Sequence, residues 1–130
     1  RLRQLLHNLL TNAVEALEGR DGGEILVTTR VVTREGAEVA EIAVEDDGPG
    51  FQREQIGQVF DPYVTTKTRG TGLGLAIVRK IVEEHGGYVE ADNRAGGGAR
   101  VRVALPLDET TRGQEVRGAA RRPEPRRERA

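Results

Sequence analysis

The chain has 130 residues, 36% of them hydrophobic and 32% charged, with a formal net charge of −1 and no Cys. That length supports one domain with a real core and is short for two, while the absence of Cys excludes disulfides, thiolate metal sites and Cys nucleophiles. Residues 108–130 hold seven Arg and five acids around Val116 as their one sizeable apolar residue, so this tail is expected to be disordered; residues 1–107 keep a net −3, which disfavours nucleic-acid binding by charge.

From the first residue, Leu2, Leu5, Leu6, Leu9, Leu10, Ala13, Val14 and Leu17 recur at the helical period and predict a helix over 2–18 with a wide apolar face. The chain has no Met and opens inside this pattern, which reads as a piece of a longer protein. Gly19, Gly22 and Gly23 end the helix. Residues 24–32 are β-branched and predict a strand, Arg34-Glu35-Gly36 a turn, and residues 38–46 its hairpin partner, with Ala40, Ile42 and Val44 in phase. Residues 47–70 show little regular structure beyond a short helical pattern near 53–59. A second helix is predicted over Thr71–His85, with Leu73, Ile77 and Ile81 in one row and Leu75, Val78 and Val82 in the next; Gly86 and Gly87 stop it. Strands at 88–92 and 99–105 follow, and Pro106 closes the domain. No apolar run approaches the roughly 20 residues a bilayer crossing needs, and there is no secretory signal pattern.

Three stretches could carry chemistry. Asn8, Asn12 and Glu15 fall within about 60° of one another on a helical wheel of 100° per residue, away from the apolar stripe. An Asn oxygen can complete the shell of a Mg²⁺ whose other ligands are phosphates and waters, although a solvated helix face has the same composition. Asp46 is in phase with Ile42 and Val44, so its carboxylate points to the apolar side of the sheet, a costly place for a charge. There it could read an exocyclic amine such as that of adenine, with Gly48 and Gly50 admitting the ring; taken alone, an ordinary acidic turn is the better explanation of the stretch. Gly70, Gly72 and Gly74 alternate with Thr71 and Leu73 before the second helix, where free backbone N–H groups favour an anion such as a triphosphate. His7 and His85 have plain roles, one beside the polar helix patch and the other in the last helical turn, and they are too far apart in sequence to suggest a metal pair.

Four stretches in order give these features a common reading. Asn8-Leu9-Leu10-Thr11-Asn12-Ala13 resembles an N box, Asp46-Asp47-Gly48-Pro49-Gly50 a G1 box, Phe60-Asp61-Pro62-Tyr63 an F box and Gly70-Thr71-Gly72-Leu73-Gly74-Leu75 a G2 box. Together they resemble the ATP-binding catalytic domain of bacterial sensor histidine kinases, within the gyrase, Hsp90, histidine kinase and MutL ATPase class, over nearly all of residues 1–107. The run Phe-Asp-Pro-Tyr-Val-Thr-Thr-Lys is most similar to nitrogen-regulation sensor kinases.

The resemblance implies a two-layer α/β sandwich of the Bergerat type, a mixed sheet with helices on one face. It further implies that Asn12 binds Mg²⁺, Asn8 assists at the phosphates, Asp46 accepts from the adenine amine and Gly48 and Gly50 shape the base pocket. Phe60, Thr66, Lys67, Gly70, Thr71, Gly72, Leu73 and Gly74 would line the nucleotide and cradle its phosphates. The implied activity is phosphorylation of a histidine by ATP. Its partners would be the dimerisation and histidine phosphotransfer domain of a parent kinase and a response-regulator receiver domain, in the cytoplasm, with no nucleic acid and no membrane contact by this segment.

Hydrolytic and serine-phosphorylating members of the class usually place a Glu base where this chain has Asn8, and an amide cannot take the proton. A standalone ATPase or anti-sigma serine kinase is therefore the runner-up, with a nucleotide sensor lacking transfer activity as the non-enzyme alternative. Glu15 stands where many sensor kinases carry a basic residue. Lys67, with Arg69 as second choice, is expected to supply the cation instead.

Overall fold

Glu35 and Gly36 both take positive φ, 54° and 81°, the pairing a two-residue type I′ hairpin turn requires. In the computed structural model, which describes residues 1–64 and 72–107, this turn folds β1 (Ile25–Arg34) antiparallel onto β2 (Ala37–Asp46). The remaining elements are helix α1 (Leu2–Ala16), a 3₁₀ helix at Arg53–Gln58, helix α2 (Gly74–Glu84), and strands β3 (Tyr88–Asn93) and β4 (Ala99–Pro106). The sheet order is β1-β2-β4-β3.

The layered architecture is the expected one, with α1 lying on α2 and β2, and α2 also reaching β3 and β4. Every described strand pair is antiparallel. The expected mixed sheet is thus an antiparallel one among the described residues: strands run parallel only as non-neighbours, β1 with β4 and β2 with β3, because the chain turns back after β3 and inserts β4 into the gap left by the crossover through α2.

Side-chain alternation then builds the core from one sheet face. Val44 of β2 faces Val101 of β4, and Ile42 faces Val103, beneath Leu75, Val78, Ile81 and Val82 of α2 and Leu5, Leu9 and Ala13 of α1. Burying such side chains stabilises by about 1.5–3 kcal/mol each.

The broad apolar face expected of α1 is only half used. Leu5, Leu9 and Ala13 are buried, but Leu2, Leu6, Leu10 and Val14 form a second row at i, i+4 spacing that stays 39–55% exposed. The row facing α2 is covered, and among the described residues nothing covers the other. Helix α2 begins at Gly74 rather than Thr71, with Leu73 as its N-cap, because Gly72 takes φ +77°, outside the right-handed helical region. The tail at 108–130 also lies outside them. No helix among the described residues is long and apolar enough to cross a membrane.

The opposite sheet face is a lattice of ion pairs. Arg30 and Arg34 converge on Glu41, Arg100 pairs with Asp92, Arg102 with Glu90 and Arg94 with Glu45. Glu41 is only 3% exposed. Its carboxyl is held below the ordinary 4.5, first by the hydrogen bond from Arg34, then by the one from Arg30, against the desolvation that burial imposes. Asp92 is likewise held low, chiefly by hydrogen bonding from Arg100.

Candidate functional site

Between the C-terminal half of α1, the end of β2 and the start of α2 lies a cleft of about 340 Å³. That is the size of a small-molecule site. Asn12, Glu15 and Ala16 of α1 form one side, and Asp46, Pro49, Gly50 and Phe51 another. Glu18 after α1, Gln52 and Gln55 at the start of and within the 3₁₀ helix, Val59, Val64, Leu75 and Ala99 complete it.

Asp46 is 2% exposed, so the inward phase read from its strand is correct. Its Oδ1 accepts from the backbone N–H of Gly48 at 2.9 Å and from that of Ala99 at 3.4 Å. These bonds hold the carboxylate at the cleft wall, which is how a buried charge is tolerated. Gly48 lies under the end of α1, where a Cβ would come within 2.7 Å of the Ala16 carbonyl oxygen. Gly50 takes φ +83°, and a Cβ there would meet Asn93 Oδ1 at 2.8 Å. The sequence marked both glycines as ring-admitting; the structure gives them close backbone and side-chain neighbours as well.

Asn8 sits one turn before Asn12 and is half-buried; its Nδ2 is fully buried with no hydrogen-bond partner among the described residues. An orphaned buried donor costs about 1–3 kcal/mol and marks a place for an acceptor. No three His, Asp or Glu side chains gather as a ligand set among the described residues. The Asn12 carboxamide oxygen in the lining is of the kind that can join oxygens brought by a phosphate-bearing ligand around a divalent cation.

Phe60 packs against the core cluster and is absent from the cleft lining. Gly72, Leu73 and Gly74 lead into α2 just before Leu75, which does line the cleft. Tyr63 N–H donates to Gly72 O at 2.7 Å, joining the two ends of the intervening segment, and Gly72 has no room for a Cβ against the Tyr63 backbone. Arg79 of α2 pairs with Asp61 at 3.2 Å beside the same junction. Thr66, Lys67, Arg69, Gly70 and Thr71 lie outside the described residues. Sequence reading missed Phe51, Gln52, Gln55 and Ala99; the helical pattern near 53–59 was visible, but nothing in it pointed toward a cleft.

With this geometry, similarity to known proteins becomes decisive. The profile of the family described as "Histidine kinase-, DNA gyrase B-, and HSP90-like ATPase" matches residues 1–109. The chain belongs to that family. It is 44% identical over 108 residues to the sensor histidine kinase ZraS of Klebsiella oxytoca, covering 83% of this chain and 22% of that protein. It is 45% identical over 103 residues to the sensory histidine kinase/phosphatase NtrB of Rhizobium meliloti (strain 1021), covering 72% of this chain and 27% of that protein. Among solved structures, the catalytic domain of histidine kinase ThkA superposes with a TM-score of 0.69 at 37% identity, over 82% of this chain and 66% of that one. Full-length ShkA in complex with AMPPNP gives 0.65 at 35%, over 82% and 21%. The chain thus spans between 17% and 27% of the length of the curated relatives it matches, and within the family it is an ATP-binding catalytic module of the sensor histidine kinase kind.

Proposed function

We propose that this module binds ATP with Mg²⁺ and presents the γ-phosphate to a histidine on a separate dimerisation and phosphotransfer domain, for onward transfer to a response-regulator receiver. The observation that carries the reading is the cleft itself, lined by both Asn12 and Asp46, with the orphaned Asn8 Nδ2 one helical turn before Asn12. The AMPPNP bound by ShkA supports adenine nucleotide as the ligand class.

In this reading Asp46 accepts from the adenine amine, and Gly48 and Gly50, whose missing Cβ atoms let the loop pack against Ala16 and Asn93, set the backbone that shapes the base pocket. Asn8 donates to a phosphate oxygen, which would satisfy its buried amide. Asn12 holds Mg²⁺ through its carboxamide oxygen, and the cation when bound neutralises charge on the phosphate oxygens. Gly70, Thr71, Gly72, Leu73 and Gly74 cradle the phosphates with Thr66, and Phe60 supports the pocket from the core side. Lys67 offsets the carboxylate of Glu15; unchanged nucleotide affinity and transfer rate in Lys67→Ala would remove it from the site.

Transfer forms a bond from an imidazole nitrogen to phosphorus and breaks the bond from that phosphorus to the β-phosphate bridging oxygen, releasing ADP. The module's contribution is alignment and charge stabilisation, which dominate phosphoryl transfer. With Asn8 in place of an acidic base, water is not activated and hydrolysis stays slow.

Calorimetric titration with a non-hydrolysable ATP analogue and Mg²⁺ tests this. Saturable binding that falls by about tenfold or more in Asn12→Ala is expected, the cost of one hydrogen bond or ligand to a charged group. Absence of binding in the parent chain would contradict it.

A further inference from the structure

Where β3 ends, Asn93 reaches back 42 residues to the loop that follows Asp46. Its Oδ1 accepts from the Phe51 N–H at 2.7 Å and its Nδ2 donates to the Phe51 carbonyl at 3.0 Å. A carboxamide used this way copies the donor and acceptor of a paired strand residue, so the Pro49–Phe51 wall of the cleft is tied to the sheet although the loop has left it. The approach depends on Gly50, whose missing Cβ leaves the space that Asn93 Oδ1 fills.

The next residue adds a second tie. Arg94 Nη1 donates to the Asp46 carbonyl at 2.9 Å, while its Nε lies 3.3 Å from Glu45. Gly98, at φ +102°, closes the hairpin so tightly over Asp46 that a Cβ would collide with that same carbonyl. The root of the β3–β4 hairpin therefore grips the loop on both sides of Gly48.

We propose that Asn93 is a positioning residue for nucleotide: its carboxamide fixes the Phe51 backbone and, through it, the wall against which the base is held. This rests on the adenine assignment of Asp46 made above. Asn93 is absent from the cleft lining, so it acts through Phe51 and Gly50 rather than by contact with ligand.

The test compares the full chain with Asn93→Ala and Asn93→Asp. The aspartate keeps an acceptor for Phe51 N–H but sets a second oxygen against the Phe51 carbonyl. Affinities for ADP and for inorganic tripolyphosphate are measured with Mg²⁺, alongside thermal midpoint and amide exchange at Phe51. The expected result is ADP affinity lower by about tenfold in both variants, tripolyphosphate affinity within about twofold, and faster Phe51 exchange. ADP affinity within about twofold of the parent would overturn the proposal. So would ADP and tripolyphosphate affinities that fall together in step with the thermal midpoint, since that pattern belongs to general destabilisation. If the parent binds tripolyphosphate but not ADP, the adenine assignment fails and this proposal with it; a parent that binds ADP while the variants bind it equally well loses only the role of Asn93.

Discussion

Asp46 and Glu41 are both carboxylates of β2 buried to within a few percent, and their surroundings give them opposite uses. Glu41 faces the outer side of the sheet under two arginines, so its charge is spent on pairing. Asp46 faces the cleft with backbone N–H groups on Oδ1, so its carboxylate is fixed at a ligand-sized space. Asp46→Asn is expected to weaken ATP-analogue binding by about tenfold while leaving the urea midpoint close to the parent, because the backbone bonds to Oδ1 survive. Calorimetry and denaturation on the same sample check both halves. For Glu41 the expectation concerns acid. Its folded pKa lies below the unfolded one, so the stabilisation is fully present above the unfolded value near 4.5 and is lost as pH falls through the folded value. Urea midpoints measured against pH should show a shallower acid limb in Glu41→Gln than in the parent, and equal slopes would contradict the role given to the two arginines.

Helix α1 carries two apolar rows that packing treats differently. Leu9→Ala, in the covered row, should cost about 2–5 kcal/mol by chemical denaturation, whereas Leu6→Gln, in the exposed row, should stay within about 0.5 kcal/mol. Hydrophobic period identifies a helix and its apolar arc, but the width of the face actually covered depends on what packs there, which no local pattern encodes. The β3–β4 hairpin offers a parallel contrast. Gly97 and Gly98 both have positive φ, yet a Cβ at Gly97 meets nothing within 4 Å while one at Gly98 strikes the Asp46 backbone. Gly98→Ala should therefore destabilise clearly more than Gly97→Ala, which carries only backbone strain of about 1–3 kcal/mol. Strand order along the chain was legible from β-branched runs and glycine punctuation. The insertion of β4 between β2 and β3 was not, because pairing partners are set by tertiary closure.

Across the whole molecule, the ion-paired sheet face and the helix-covered face divide structure from chemistry. The cleft lies at the edge of the helix layer, where α1, the end of β2 and the start of α2 meet. Asn12, Asp46 and Gly50 line it, and the sequence pointed to them through the four motifs in order; an amide in a Leu-rich helix, an acid in an apolar phase and a glycine in a turn were each too weak alone. Phe51, Gln55 and Ala99 break no pattern and enter the cleft only through the fold. Asn93 lies farther still from legibility, since its significance comes from a loop 42 residues earlier.

In the proposed reaction this module transfers phosphate from ATP to a histidine supplied by another domain. The direct measurement mixes the chain with a separately produced helical phosphoacceptor domain of a parent kinase, Mg²⁺ and γ-labelled ATP. Label and free phosphate are then followed over time. Acid-labile, base-stable label accumulating on the added domain, with slow phosphate release by the chain alone and loss of transfer in Asn12→Ala, is the predicted result. Rapid phosphate release by the chain alone, or ATP binding with no label on the acceptor, would contradict it.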